Sequence, residues 1–348
     1  MRIAMVAPPW YPVPPDGYGG IELVVHLLTA GLRRLGHEVV LFGAEGSGHG
    51  AIELAPAAWA QDLGGPQHRV REATYLARVY SRLDEMTVDL VHEHNESAGI
   101  LVASRRPPAP IVATIHSNLA EPYSTFMNEV DRTAVGLVAI SAAQAAQAPT
   151  LPWLGMVHNA PDTDSLRSGT EKGGYLLELA RICPDKAQHI SIDVAAELGL
   201  PLVLAGKIEE RPESYAYFKE QIEPRLGEKV RWLPDVAGRE KAELLAGAVA
   251  MLFPIQWEEP FGLAMVEAMA SGTPVVAIAR GAAPELIEEG VTGFLVGDAE
   301  GLVAACRRID EIDTRRCAEV ARARFSPERM AAGYLEVYRV AKDRFGKS

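Results

Sequence analysis

Residues 250–279 read Ala250-Met251-Leu252-Phe253-Pro254-Ile255-Gln256-Trp257-Glu258-Glu259-Pro260-Phe261-Gly262-Leu263-Ala264-Met265-Val266-Glu267-Ala268-Met269-Ala270-Ser271-Gly272-Thr273-Pro274-Val275-Val276-Ala277-Ile278-Ala279. The apolar runs Ala250-Pro254 and Pro274-Ala279 have the length and composition of strands buried on both faces of a sheet. Between them, 263–271 reads as a helix. Strand, helix and strand in this order form a parallel βαβ unit, because the helix carries the chain back to the start of the sheet.

The alternation continues in both directions. Gly293-Val296 is a further strand after a helix near 283–289. Upstream lie strands Tyr175-Ala180, Pro201-Ala205 and Val230-Leu233, with helices near 185–198, 214–226 and 239–248. An earlier series has strands at Arg2-Ala7, Glu38-Ala44, Asp89-His94, Ile111-His116, Gly136-Ser141 and Met156-Asn159. Amphipathic segments separate them, such as Ile21 to Leu35, where Leu23, Leu27, Ala30 and Leu35 recur at helical spacing. From Asn159 to Gly174 the periodicity gives way to Pro, Asp, Thr, Ser, Gly and Lys, which marks an interdomain linker. The expected fold class is therefore α/β, with two tandem doubly wound, Rossmann-like domains (1–162 and 163–326) facing a cleft. The stretch 327–348 contains a last helix with Met330, Tyr334, Val337 and Tyr338 on one face, and is expected to return to the first domain. In such sheets ligands bind beyond the carboxyl ends of the strands, so the chemistry belongs in the loops that follow them.

Composition narrows the function classes. A chain of 348 residues, 48% hydrophobic and 23% charged, suits about two folded domains and argues against disorder. Its 34 Lys and Arg against 46 Asp and Glu leave a net charge of -12, which repels nucleic acid and anionic membranes while leaving room for a local basic pocket. Cys183, Cys306 and Cys317 cannot form a closed disulfide set and have no C-x-x-C spacing, so reduced thiols, a cytoplasmic location and no structural zinc are expected. Met1 to Ala7 is too short for a secretory apolar region. The longest uncharged stretch, Thr133 to Val157, contains Gln144, Gln147, Pro149 and Pro152, so no transmembrane segment is expected.

Within the opening stretch, Glu259 follows a strand and Glu267 lies inside the next helix. The amides of Phe261, Gly262 and Leu263 would face an anion at that helix N-terminus, and Gly262 lets the backbone approach closely. Carboxylates beside an anion site make sense when each accepts hydroxyl hydrogen bonds, as sugars and riboses supply. Two glutamates at this spacing alone would be a solvated helix start; the whole string is far more specific. It resembles the E-x7-E segment of retaining glycosyltransferases of family 4, which have the two-domain GT-B fold. The resemblance implies that Glu259 lies near the transferred sugar and that Glu267 holds the nucleotide ribose.

A second constellation, Leu179-Ala180-Arg181-Ile182-Cys183-Pro184-Asp185-Lys186-Ala187, also follows a strand. Arg181 can fork onto a diphosphate and Lys186 can add a point charge, although lone cations are usually solvated. The segment resembles the family's G-R-x-x-x-x-K stretch, with Ala180 and Ala187 in place of the usual flanking glycines and Cys183 where Ser is common. Gly206 and Lys207 resemble the family's turn near the nucleotide, with a solvated role for Lys207 equally open.

In the first half, Gly19 and Gly20 of Pro15-Asp16-Gly17-Tyr18-Gly19-Gly20-Ile21-Glu22 permit a tight turn into a helix. A dinucleotide fingerprint with Glu45 as ribose ligand is disfavoured, because the connection from Ala7 to Gly20 is too long and Glu22 replaces the third glycine. The loop resembles the family's glycine loop, which approaches the diphosphate when the domains close. His116 ends a strand and stands where the family often carries His beside the reacting sugar. Asn159 resembles the N-G-x-D turn except at Ala160, which favours a structural hinge. His92 and His94 have no visible third metal ligand, so acceptor contact or burial is the better reading. Glu285 reads as structural.

Taken with the resemblance, the expected activity is retaining transfer of a hexosyl group from a nucleotide diphosphate sugar, a UDP-sugar foremost, to a small-molecule, glycan or lipid-linked hydroxyl acceptor. Arg181, Lys186, Glu259 and His116 form the expected catalytic set. Gly19, Gly20, Gly206, Phe261, Gly262, Leu263 and Glu267 are the donor-binding set. With those cations no divalent metal or cofactor is required. A nucleotide-sugar epimerase or isomerase on the same fold, or a non-catalytic nucleotide-sugar-binding protein, remain alternatives distinguished by turnover.

Overall fold

The computed structural model describes residues 1–105, 108–130, 135–167 and 172–346. Thr133 and Ala134 of the uncharged stretch, residues 168–171 of the expected linker and the last two residues of the expected C-terminal stretch lie outside the described residues. The chain divides into two compact units, Met1–Ala160 with Pro327–Ser348, and Pro161–Ser326.

In the first unit the order is β1 (Arg2–Val6), α1 (Gly20–Arg34), β2 (Glu38–Ala44), β3 (Ile52–Ala55), α2 (His68–Leu83), β4 (Leu90–Glu93), α3 (Glu96–Arg105), β5 (Ile111–Thr114), α4 (Tyr123–Glu129), β6 (Val135–Ala139), α5 (Ala142–Gln147) and β7 (Trp153–Met156). Its seven strands form a sheet in the order β3-β2-β1-β4-β5-β6-β7, and every described pairing is parallel. Ile3 faces Val39 on one side and Leu90 on the other. Covered by helices on both faces, the central strands have no exposed side to advertise, hence their continuous apolar runs.

The second unit contains β8 (Leu176–Leu179), α6 (Gln188–Leu198), β9 (Leu202–Ala205), α7 (Pro212–Tyr217), β10 (Val230–Leu233), α8 (Gly238–Gly247), β11 (Ala250–Phe253), α9 (Leu263–Ala270), β12 (Val275–Ile278), α10 (Ala283–Leu286), β13 (Gly293–Val296), α11 (Ala299–Cys306) and α12 (Thr314–Arg324). Its parallel sheet has the order β10-β9-β8-β11-β12-β13. In each sheet the strand order reverses beside the first strand, between β1 and β4 and between β8 and β11. These are the switch points at which loops diverge and leave a crevice.

The last helix, α13 (Pro327–Phe345), belongs to the first unit. Its buried Met330, Ala331, Tyr334, Val337, Tyr338 and Ala341 form one stripe. Tyr334 Oη lies 2.9 Å from Thr114 Oγ1, and Tyr338 Oη 2.7 Å from His92 Nδ1. Two buried hydroxyls thus join the helix to β5 and β4, and leaving either unpaired would cost about 1–3 kcal/mol.

Several elements differ from the sequence reading. The strand expected at Met156-Asn159 is β7, three residues earlier, because the chain enters this half-exposed edge directly after Pro152. The helix expected over 214–226 is α7, which widens to a π turn at Phe218–Ile222 and tightens to a 3-10 turn at Glu223–Arg225 around Pro224. The helix expected from 185 starts instead as a 3-10 turn at Pro184–Lys186, passes through Ala187 at φ 58°, and becomes α6 only at Gln188. The strand β3 and the helices α11 and α12 went unread. In α12 the buried face consists of Cys317, Ala318, Val320 and Ala321, small residues submerged among arginines.

Candidate active site

Arg181, Lys186, Glu259, Phe261, Gly262, Leu263 and Glu267 lie on the two loops at the β8/β11 switch point and on the helices they open, whereas Gly206 follows β9 and Gly19 and Gly20 belong to the first unit. The loop after β8 carries Arg181 and Lys186; the loop after β11 carries Trp257, Glu259 and Gly262. Backbone bonds hold the first loop against the end of β9, with Ala180 N donating to Ala205 O at 3.0 Å and Ile182 N to Lys207 O at 2.9 Å. Gly206 takes φ +140°, and a Cβ there would stand 2.1 Å from the Ala180 carbonyl oxygen, so glycine alone fits. Ala187 has no such excuse: an alanine in the left-handed region costs roughly 1–2 kcal/mol, retained in a loop that aims Lys186. Gly262, at φ 91°, precedes α9, which places the amides of Phe261, Gly262 and Leu263 at that helix's N-terminus. Ala282 N donates to Glu259 O at 2.9 Å, tying the glutamate's loop to α10.

Opposite charges lock the side chains. Lys186, 9% exposed, is bonded through Nζ to Glu259 Oε2, which also accepts the Trp257 indole N–H at 3.0 Å. The Trp257 ring centroid lies 4.8 Å from the same ammonium, a cation–π contact. Glu267, 5% exposed, accepts from Lys241 Nζ at 2.6 Å. Arg181 pairs with Glu209. Each glutamate of the motif is therefore paired with a lysine. Lys241, Trp257 and Glu209 were missed by sequence reasoning. Trp257 stands two residues before Glu259 and could have been singled out, whereas Lys241 and Glu209 become partners only through folding.

Beneath this pair of loops, Glu178 on β8 is 2% exposed and its Oε2 has no hydrogen-bond partner. Burial raises its carboxyl from 4.5 to about 8, with Ser191 and then Lys186 only partly opposing. The native carboxyl thus keeps its proton to about pH 8, while the unfolded chain loses it near pH 4.5. Across that window the native state binds more protons, so this group's contribution to stability falls as pH rises. Glu178→Gln is expected to flatten the decline and to add about 1–3 kcal/mol at pH 8, read from urea unfolding at pH 5 and pH 8. An unchanged slope would assign the decline to other groups.

In the first unit, His116 follows β5, and its Nε2 lies 2.9 Å from His94 Nδ1. Burial lowers the His116 imidazole to about 4 and holds His94 well below its usual range, so both are neutral at pH 7. His92 is bonded to Thr114 Oγ1 at 2.8 Å and Tyr338, a buried structural role. Among the described residues no group of three His, Cys, Asp or Glu side chains could hold a metal ion. Gly19 precedes α1 at φ 153°, with Gly20 the first residue of that helix. Asn159 is buried one residue before the unit boundary, and the Glu285 carbonyl accepts from Arg324 at 2.7 Å. No helix among the described residues is long and apolar enough to cross a membrane.

Comparison with known proteins agrees with this arrangement. Family models described as Glycosyltransferase Family 4 and Glycosyl transferases group 1 match residues 18–163 and 175–311. A phosphatidyl-myo-inositol mannosyltransferase of Mycolicibacterium smegmatis is 28% identical over 352 residues, covering 93% of this chain and 88% of that protein. The crystal structure of AviGT4, a glycosyltransferase involved in avilamycin A biosynthesis, superposes with a TM-score of 0.73 at 25% identity, covering 100% of this chain and 99% of its own. Anabaena HepE, solved in complex with UDP and glucose, gives 0.74 at 22% identity and coverage of 97% and 99%. With both halves matched, and with paired parallel sheets of the GT-B type, the chain belongs to the family 4 glycosyltransferases of group 1.

Proposed function

We propose that the chain is a retaining hexosyltransferase that takes its sugar from a UDP-sugar, without a divalent metal, and passes it to a hydroxyl acceptor. The observation that carries this reading is the buried Lys186–Glu259 pair across the β8/β11 switch point. Breaking the bond between sugar and diphosphate leaves negative charge on the departing oxygens, and stabilising that charge is the main electrostatic task. A bound diphosphate would draw Lys186 and Arg181 to itself, supported by the amides at the start of α9. Glu259, released from Lys186 while still fixed by Trp257, would then accept hydroxyl hydrogen bonds from the sugar. Glu267 would accept from the ribose while it stays paired with Lys241.

The donor's own phosphate oxygen would take the acceptor's proton as its hydroxyl attacks from the face that the diphosphate leaves. Two cations on the leaving group make a metal unnecessary, and the UDP and glucose named for HepE support the donor class. Binding and slow hydrolysis across a panel of nucleotide sugars tests the reading, with UDP-hexoses expected to lead. NMR of the new linkage should show the donor's anomeric configuration retained; an inverted product refutes the mechanism. Activity should survive EDTA. Loss on chelation with recovery in Mg²⁺ or Mn²⁺ would mean that Arg181 and Lys186 are not the main stabilisers.

A further inference from the structure

A cavity of about 280 Å³ lies at the β1/β4 switch point, wholly within the first unit. Trp10 and Tyr11 follow β1; Asn95 and Glu96 come after β4; Glu22 and Glu72 reach it from α1 and α2. Its size is close to the lower end of small-molecule sites, roughly 300–1,000 Å³. The described lining has three carboxylates, Glu22, Glu72 and Glu96, and neither Lys nor Arg.

Two buried polar groups in the wall lack partners. Asn95, 4% exposed, donates its amide to Ala7 O at 3.1 Å and Glu93 Oε1 at 2.6 Å, which fixes its orientation and leaves Oδ1 unsatisfied. His94, fully buried, spends Nδ1 on His116 and leaves Nε2 without a partner. Buried polar atoms of this kind are costly unless a ligand or water completes them. Glu96 adopts φ 46°, strained for any residue but glycine, with its carboxylate accepting from Ser117 Oγ at 2.7 Å. Burial, reinforced at Glu72 by Glu93 and Glu96 and only partly offset by Arg69, pushes the Glu22 and Glu72 carboxyls to about 7. Because the acids do not group as a metal ion needs, they suit an organic cation that spreads its donors around the wall.

We infer that this cavity holds the acceptor and selects one bearing a protonated amine beside its hydroxyls, an amino sugar or aminated cyclitol, over neutral or phosphorylated analogues. The inference rests on the transferase reading for the word acceptor. An ammonium supplies three donors and no acceptor, which matches carboxylates and the free Asn95 oxygen, and aromatic faces at Trp10 and Tyr11 can cover ring and cation. A phosphate would confront three acidic side chains, with neither Lys nor Arg among the described lining.

Calorimetry of the full chain at pH 7 with glucosamine, glucose and glucose 6-phosphate tests it. Glucosamine is expected to bind about ten- to hundredfold tighter than glucose, with glucose 6-phosphate weakest. Glu72→Gln should shrink the preference for glucosamine over glucose. Glu72→Lys should shift preference towards glucose 6-phosphate, an inversion that simple destabilisation cannot produce; melting curves check both folds, and Glu22→Gln is the second site for the same loss. Equal binding of glucosamine and glucose, no binding of glucosamine, or a preference for the phosphate overturns the inference. Donor turnover separates the two readings. Amine selectivity without nucleotide-sugar turnover upholds the site and removes the transferase reading, while equal transfer to neutral and aminated acceptors does the reverse.

Discussion

Lys186→Ala is expected to lower sugar transfer by roughly two to three orders of magnitude, the usual cost of removing one preorganised group from a developing negative charge. The loss should fall on kcat more than on KM, because Lys186 gains most as the diphosphate departs. The same change strands Glu259, 13% exposed at its side chain, with Trp257 as its remaining donor. Breaking a buried pair from one side costs about 3–5 kcal/mol, so the variant should also melt early. The double variant Lys186→Ala with Glu259→Gln separates these effects. Removing the stranded charge should recover much of the stability and none of the transfer. Steady-state kinetics with the donor, beside thermal melts, checks both; if the double variant regained transfer as well, Lys186 would be a partner for Glu259 and nothing more.

The two glutamates of the α9 motif should separate by ligand. Glu267→Ala is expected to weaken free UDP by about ten- to hundredfold, since a charge-assisted bond to the ribose of roughly 1.5–3 kcal/mol disappears. Glu259→Ala should leave UDP binding nearly unchanged and reduce turnover of the intact donor, because its proposed hydroxyl partners are absent from the nucleotide. The contacts give each variant an internal control. Glu267→Ala frees Lys241, and Glu259→Ala frees Lys186 to pair with phosphate. A freed Lys186 thus works against any loss of nucleotide affinity in the second variant, and no such compensation from Lys186 operates in the first. Calorimetry with UDP and kinetics with the sugar donor decide; loss of UDP binding in Glu259→Ala alone, with the fold intact, reverses the proposed donor orientation.

Much of the site was legible because chemistry and backbone coincide in short segments. Glu259, Gly262 and Glu267 sit in one strand–loop–helix passage, and Arg181 and Lys186 in another, so local spacing carried them. Lys241 was illegible for the opposite reason. It lies 26 residues from Glu267 in sequence, on a helix whose start, Gly238-Arg239-Glu240-Lys241, looks like any solvated turn. The spacing of His92 and His94 points to burial or acceptor contact without showing that the hydrogen-bonding partner of His94 is His116, on the neighbouring strand's loop 22 residues away.

By itself the sequence determined the alternation of strands and helices, hence two parallel sheets, and the loops on which the proposed anion-binding residues stand. These follow from burial on both sheet faces and from helix geometry, which are local periodicities any reader of the chain can count. Tertiary structure alone decided which charge neutralises which. Lys186 against Glu259, Lys241 against Glu267, and the glutamate-lined cavity at the β1/β4 crevice, with neither Lys nor Arg among its described lining, all join residues from separate elements. The physical reason is that electrostatic partnership depends on distance and burial after the sheet has formed, and strand order, which sets both, is written in no single segment.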